Sequence, residues 1–179
     1  MAIDISKVRP GLYIGSQAAE EGPLSLLTSH CITSVLQLGT GPTMQPTHPS
    51  LTYKCISVRD DDSVDLVRRL IEEKALDFID DRIRLGAVLV HCQIGMSRSA
   101  TAVLAYLMTR ENLSFEEALH DLIKCRKIVQ PNLGFCNQLK GLENCQADVR
   151  KYRGPAKYIK DTMTWLIMLD KARTAARVQ

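Results

Sequence analysis

Short apolar runs separated by turn residues occupy the first half of the chain. Leu12-Tyr13-Ile14, Ile32 to Leu38 and Leu51 to Val58 are rich in β-branched and aromatic residues and bounded by Gly, Pro, Ser and Asp, which predicts three strands. Between the last two, Gly39 to Ser50 holds three prolines and two glycines and reads as a loop. From Asp65 to Arg84 the period changes. Val67, Ile71, Ala75, Phe78, Ile79 and Ile83 recur at helical spacing with charged residues on the other face, which predicts one amphipathic helix. Gly86 stops it, and Ala87-Val88-Leu89-Val90-His91 is the almost wholly apolar pattern of a central strand buried on both faces.

A helix is expected over Ser99 to Arg110, and Ser114-Phe115-Glu116-Glu117 is a capping box that opens another. Pro131-Asn132 precedes a third, with Asn132 at the N-cap. Beyond Gln146, Lys151-Tyr152-Arg153-Gly154-Pro155 reads as a connection. A last helix is expected from about Ile159 to Arg177, with Ile159, Met163, Leu166, Ile167 and Asp170 on one side. That stripe is expected to dock on the same domain; contact with a partner or a second subunit is the alternative. Strands interleaved with helices predict an α/β fold, a central sheet covered by helices on both faces.

At 179 residues, with 45% hydrophobic and 24% charged, the chain can bury a proper core as one domain without disulfides or metals. A net charge of +3 is too small to point to nucleic acid or a membrane, so neither is expected as a partner. Cys31, Cys55, Cys92, Cys125, Cys136 and Cys145 are spread evenly and require no disulfide framework. Met1-Ala2-Ile3-Asp4 lacks the basic stretch and apolar run of a signal peptide, no aliphatic stretch is long enough to cross a bilayer, and no acylation or prenylation pattern is present. A cytoplasmic protein with free thiols is expected, with the nucleus as a second compartment. The sequon Asn112-Leu113-Ser114 is of a kind common by chance.

The chemistry concentrates in His91-Cys92-Gln93-Ile94-Gly95-Met96-Ser97-Arg98-Ser99, between the buried strand and the next helix. A strand-to-helix turn aims several backbone N–H groups and the positive end of a helix dipole into one concavity, a ready anion site. Thiols in such places ionise at about 3.5 to 7.5 rather than about 8.5, which would make Cys92 nucleophilic at neutral pH. Arg98, six positions on, can grip two phosphate oxygens with its planar fork. Gly95 lets the loop curl with its amides inward. Ser99 can donate a hydrogen bond to the sulfur and help it leave. Taken singly, a cysteine is usually a small core hydrophobe, a histidine at a strand end a satisfied structural residue and an arginine opening a helix a surface charge. The combination, in this order and place, is improbable by chance.

A thiolate expels an alkoxide or phenolate efficiently only if an acid protonates the leaving oxygen. Asp60-Asp61-Asp62 follows the strand that ends at Val58, and at least two of the three are expected to be a solvated turn. The loop at 91–99 resembles the phosphate loop of the dual-specificity phosphatases, a branch of the protein tyrosine phosphatase superfamily. Tyr53-Lys54-Cys55-Ile56-Ser57-Val58-Arg59-Asp60 is similar to the family's strand and general-acid loop, in a register that puts the catalytic aspartate on Asp60, 32 residues before Cys92. Leu12-Tyr13-Ile14-Gly15, Ala105-Tyr106-Leu107-Met108 and Pro131-Asn132-Leu133-Gly134-Phe135 match further elements, so the resemblance covers about residues 5 to 145.

The resemblance implies a central mixed sheet of about five strands flanked by helices on both faces. It implies a catalytic domain over residues 1–146 and an extension with a helix over 147–179. The backbone amides of Gln93, Ile94, Gly95, Met96, Ser97 and Arg98 would bind phosphate, Asp60 would act as acid and then as base, and His91 and Asn132 would hold the loop in shape. No cofactor or metal is implied, and no zinc-ligand spacing is present. The expected function is hydrolysis of phosphotyrosine and phosphoserine/threonine in protein substrates through a phospho-cysteine at Cys92. Dual specificity is expected because the extra recognition loop of the tyrosine-only branch is absent. The alternatives are an enzyme for non-protein phosphates such as RNA 5′ ends, glycans or inositides, and a non-catalytic phosphoprotein-binding module. Uncharged Gln93, Ile94 and Met96 weigh against highly phosphorylated lipids, the presence of nucleophile, arginine and acid weighs against a binding module, and Asp60 weighs against sulfur transfer or arsenate reduction.

Overall fold

Five strands among the described residues, 4–41 and 44–177 of a computed structural model, form one sheet in the order β1 (Ile5–Arg9), β2 (Leu12–Ser16), β5 (Ala87–Cys92), β3 (Ile32–Gly39), β4 (Thr52–Ser57). The start at Met1–Ile3 and Pro42 of the loop lie outside them. β1 runs antiparallel to β2, and the remaining pairings are parallel. β5 is buried at every position, which demands the centre of the sheet. β1 escaped the sequence reading because Ile5-Ser6-Lys7-Val8-Arg9 mixes apolar with charged residues. That composition suits an edge strand, where charge discourages pairing with another chain.

Alternation along the strands divides the core in two. Leu12, Ile14, Leu36, Leu38, Val88 and Val90 face the main core, whereas Tyr13, Val35 and Leu89 pack on the other side with Leu27 of α2 (Leu24–Ser29), which follows the single turn of α1 (Gln17–Glu20). The main core also takes buried residues from α3 (Leu66–Glu72), α4 (Ala75–Ile83), α5 (Arg98–Glu111), α6 (Phe115–Cys125), α7 (Leu133–Glu143) and α8 (Thr162–Ala175). α5 is buried without interruption from Arg98 to Met108 and runs through the middle of the molecule, directly behind the loop it follows. α6 opens on the capping box at Ser114 and Glu117, and α7 on Asn132, whose side chain accepts from Phe135 N–H at 2.9 Å.

Two helices depart from the sequence pattern. The single helix expected over 65–84 is broken into α3 and α4 at Lys74, which takes a left-handed conformation (φ 51°). α3 buries Leu66, Val67 and Leu70, and α4 buries Ala75, Leu76 and Ile79. At about 3.6 residues per turn these sets would lie on opposite sides of one straight helix. The break lets both reach the same core. The last helix starts at its N-cap Asp161, which accepts from Thr164 N–H at 2.8 Å, rather than near Ile159. Its docked residues are Trp165 and Leu169, whereas Met163, Leu166 and Ile167 of the expected stripe are 66%, 40% and 50% exposed. From Met163 to Leu169 only Thr164 is polar, so the period cannot choose a face. The largest side chain goes inside, its ring 6.2 Å from that of Phe115. No helix among the described residues is long and apolar enough to cross a membrane.

Candidate active site

The parallel strands β2, β5 and β3 bring their C-terminal ends to one edge of the sheet, the usual place for a ligand site in such sheets. Cys92 stands in register with Ser16, and His91 lies between Gly15 and Gln37. From there the loop 93–97 curls back to α5. Its carbonyls are all held from outside. Gln93 O accepts from Gln17 N–H (3.2 Å), Met96 O from Gln130 N–H (2.9 Å) and Ser97 O from Thr101 N–H (2.8 Å). Ile94 O and Gly95 O accept from Nη2 and Nε of Arg126 at 2.8 and 2.7 Å. Because each peptide unit is planar and trans, turning these carbonyls outward turns the following N–H groups inward. One of them, Gly95 N–H, reaches Cys92 Sγ at 3.3 Å. Gly95 has φ +74°, and a Cβ there would lie 2.6 Å from Arg126 Nη2 and 2.7 Å from the carbonyl carbon of Gly15, so the curl has room for glycine alone.

Cys92 is 3% exposed and has Ser99 Oγ at 3.2 Å on its other side. Burial pushes its thiol pKa up, but the hydrogen bonds from Ser99 and Gly95 and the charge of Arg98 outweigh that and hold it below the ordinary value. Burial wins at Cys55, Cys125 and Cys136, whose thiols shift upward. The Cys92 thiol therefore ionises more readily than those three. All six cysteines are unpaired, and among the described residues no group of three or more His, Cys, Asp or Glu could hold a metal ion.

Arg98 opens α5 with its side chain buried. Nη1 donates to Val58 O at 3.3 Å, while Nε forms an ion pair with Asp60 Oδ2 at 3.5 Å, outside hydrogen-bonding geometry, and has no hydrogen-bond partner among the described residues. A buried guanidinium held this loosely is poised to turn to a stronger acceptor. Asp60 Oδ1 accepts from Ser97 Oγ at 2.7 Å and from Asn132 Nδ2 at 2.9 Å, so the carboxyl group is pinned across the loop. Asp60, Cys92, Arg98 and the loop residues Gln93, Ile94, Met96 and Ser97 together line a cavity of about 130 Å³. The two neighbouring aspartates point elsewhere. Asp61 accepts from Ser63 N–H at 2.9 Å, and Asp62 accepts from Gly134 N–H at 3.3 Å.

Gly134 is needed there, since a Cβ would sit 2.6 Å from Asp62 Cα and lift the aspartate loop off the start of α7. Asn132 serves both loops, because its backbone N–H also donates to Ser97 Oγ at 3.2 Å. His91 is buried, and its Nδ1 makes a weak 3.4 Å contact with Cys92 O. Burial pushes its pKa down, against the pull of Glu20 and Glu21, and favours the neutral ring.

A model of the dual specificity phosphatase catalytic domain matches residues 12–145. The chain belongs to that family. The dual specificity protein phosphatase 1 of Arabidopsis thaliana is 37% identical over 140 residues, which cover 77% of this chain and 68% of the relative. Among solved structures, human DUSP28 superposes with a TM-score of 0.75 at 29% identity, over 82% of this chain and 97% of that one. The human tyrosine phosphatase-like serine/threonine/tyrosine-interacting protein also reaches 0.75, at 26% identity over 81% and 99%.

The sequence reading of this dual specificity phosphatase passed over Arg126. Nothing around Cys125-Arg126-Lys127 sets it apart in the sequence, because the carbonyls it holds are 31 and 32 positions away. Its third nitrogen, Nη1, pairs with Asp4 Oδ1 at 2.8 Å, just before the edge strand β1. Burial would raise the Asp4 carboxyl, but hydrogen bonds from Arg126 and Ser16 bring it below the usual carboxylate value. An unpartnered arginine is rarely buried, so its 5% exposure is the signal, and only coordinates carry it.

Proposed function

We propose that this dual specificity phosphatase hydrolyses phosphotyrosine and phosphoserine/threonine in proteins, with Cys92 as nucleophile. One observation carries the reading: Cys92 Sγ, held by Gly95 N–H and Ser99 Oγ, shares its cavity with both Arg98 and Asp60. Sulfur attacks phosphorus in line and the P–O bond to the leaving group breaks, while Asp60 gives that oxygen its proton. Arg98 moves from Val58 and Asp60 to the equatorial oxygens, which the inward amides of Gln93 to Arg98 also bind. Asp60, now ionised, takes a proton from water as the water oxygen attacks phosphorus. The P–S bond breaks, and Ser99 stabilises the departing thiolate. Asn132 and His91 act by position, the first on Asp60 and the loop, the second behind Cys92.

A cytoplasmic protein with phosphoproteins as substrates, no nucleic-acid or membrane partner and no metal or cofactor requirement completes the reading. In this reading residues 1–146 are the catalytic domain and 147–179 an extension held to it by Trp165 and Leu169. A second reading, phosphoprotein capture without turnover, draws support from the likeness to a protein named for interaction rather than catalysis. Phosphate release separates the two. The wild-type protein is expected to release phosphate from para-nitrophenyl phosphate and from phosphopeptides, and Cys92→Ser to bind the peptides without releasing it. Release by Cys92→Ser at the wild-type rate would remove the nucleophile; no release by the wild type would favour capture.

A further inference from the structure

The segment that carries the proposed acid, 60–65, is held from three sides. Toward the phosphate loop, Asp60 accepts from Ser97 Oγ at 2.7 Å and pairs with Arg98. From α7, Asn132 Nδ2 donates to Asp60 at 2.9 Å, Gly134 N–H to Asp62 at 3.3 Å and Gln138 Nε2 to Val64 O at 2.7 Å, so one helix end grips the segment along its length. The third side comes from beyond α7, where the buried Tyr152 donates its hydroxyl to Asp65 Oδ1 at 3.0 Å. Asp65 is the N-cap of α3, and Arg68 of that helix lies over the Tyr152 ring, 5.7 Å from its centre.

The same later chain fastens α7 through Asn137. In the second turn of a helix asparagine is a poor choice, because its side chain competes for backbone groups. Here the side chain leaves its own helix. Its Oδ1 accepts from Ile159 N–H at 2.8 Å, its Nδ2 donates to Ile159 O at 3.1 Å, and its backbone O accepts from Ala156 N–H at 2.8 Å. One turn further on, the chain passes so close that a Cβ at Gly141 would run into Gly154 O. Gly134, Asn137 and Gly141, spaced by three and four, form one stripe of α7. The acid segment lies on the first and the later chain on the other two, while Phe135, Cys136, Leu139 and Leu142 bury the opposite face in the core. Residues 152–159 lie outside the 12–145 that match the family model.

We infer that residues 152–159 position Asp60 for proton transfer, with Asn137 and Tyr152 as the positioning residues. Asn137 clamps α7, whose N-terminal turn holds Asp60 and Asp62, and Tyr152 fixes the end of the same segment at Asp65. Neither touches the reacting atoms. Proton transfer requires the carboxyl group within about 2.6–3.2 Å of the leaving oxygen, so a segment released at either anchor brings Asp60 into reach less often. This deepens the phosphatase reading and rests on it.

The test is kcat/KM, which reports the step in which the leaving group departs, for phenyl phosphate and para-nitrophenyl phosphate. Phenolate is the poorer leaving group and needs the proton more. The ratio of para-nitrophenyl to phenyl phosphate therefore rises when acid catalysis is impaired and stays fixed when a variant merely loses folded protein. Asn137→Ala is expected to raise it about fivefold, the worth of one neutral hydrogen bond, and Tyr152→Phe, which keeps the ring, about twofold. Asp60→Asn should raise it further, and adding Asn137→Ala to Asp60→Asn should leave the ratio where Asp60→Asn alone puts it. An unchanged ratio in Asn137→Ala and Tyr152→Phe, with Asp60→Asn raising it, would overturn the positioning role and leave the phosphatase reading standing. If Asn137→Ala does not fold, Tyr152→Phe decides alone. A double variant above Asp60→Asn would also overturn the role, since Asn137 would then act elsewhere than through Asp60. No rise in Asp60→Asn would remove the acid and its positioning together, and a wild-type protein inert on both substrates would overturn the phosphatase reading with them.

Discussion

Arg126→Ala removes a side chain that never touches the reacting atoms, yet it should slow the reaction measurably. Its guanidinium supplies the donors to Ile94 O and Gly95 O, at 2.8 and 2.7 Å, and a third contact to Asp4. Hydrogen bonds from a charged donor contribute about 1.5–3 kcal/mol each. If the transition state loses the equivalent of one such bond as the loop relaxes, kcat/KM falls by about 10- to 150-fold, at about 1.36 kcal/mol per factor of ten. The loop amide at Gly95 also helps hold the Cys92 thiol pKa down. With that amide loosened the thiol pKa rises, so less thiolate is present at a given acidic pH and the acid limb of the rate profile shifts to higher pH. Arg126→Lys keeps the charge but not the fork, and should fall between the two. The assay is kcat/KM for para-nitrophenyl phosphate across pH, with circular dichroism to confirm that each variant is folded. A folded Arg126→Ala protein with wild-type kcat/KM and an unmoved acid limb would refute the claim that this arginine holds the loop.

Asp60→Asn should lower kcat by roughly 10² to 10⁴ through loss of the proton donor, whereas Asp61→Asn, whose carboxylate turns to Ser63, should leave kcat near the wild-type value; the reverse order would reassign the acid. Trp165→Ala should destabilise the fold by about 3–5 kcal/mol, because it empties a fully packed site between α8 and Phe115. Urea unfolding measures this, and a loss under about 1 kcal/mol would mean that α8 is not held by the core in solution.

That Cys92, the turn, Gly95 and Arg98 gather at one place was legible because they are local. The proposed nucleophile, anion-binding turn, glycine and arginine follow one another in the chain, and a buried strand and a helix flank them, so short-range rules suffice to group them. Asp60 and Asn132 came from resemblance, and residue pattern alone left three aspartates open. The coordinates separate them by direction: Asp60 crosses to Ser97 and Asn132, Asp61 folds on its own turn, and Asp62 turns to α7. Arg126 was not legible by any local rule. Its partners are brought to it by the sheet and by α6, and a lone arginine at a helix end ordinarily faces water.

Hydrophobic period by itself determined that this chain is a sheet with helices over it and that 87–91 is a central strand, and capping residues alone placed the N-caps of α6 and α7 at Ser114 and Asn132. Those features depend on neighbours a few residues apart. The break at Lys74, the edge strand β1, the face that α8 presents to the core and the outward-held carbonyls of the loop 93–97 were decided by tertiary structure. In each case several local conformations cost nearly the same, and the choice fell to whichever buried most apolar surface or paired most buried polar groups across distant parts of the chain.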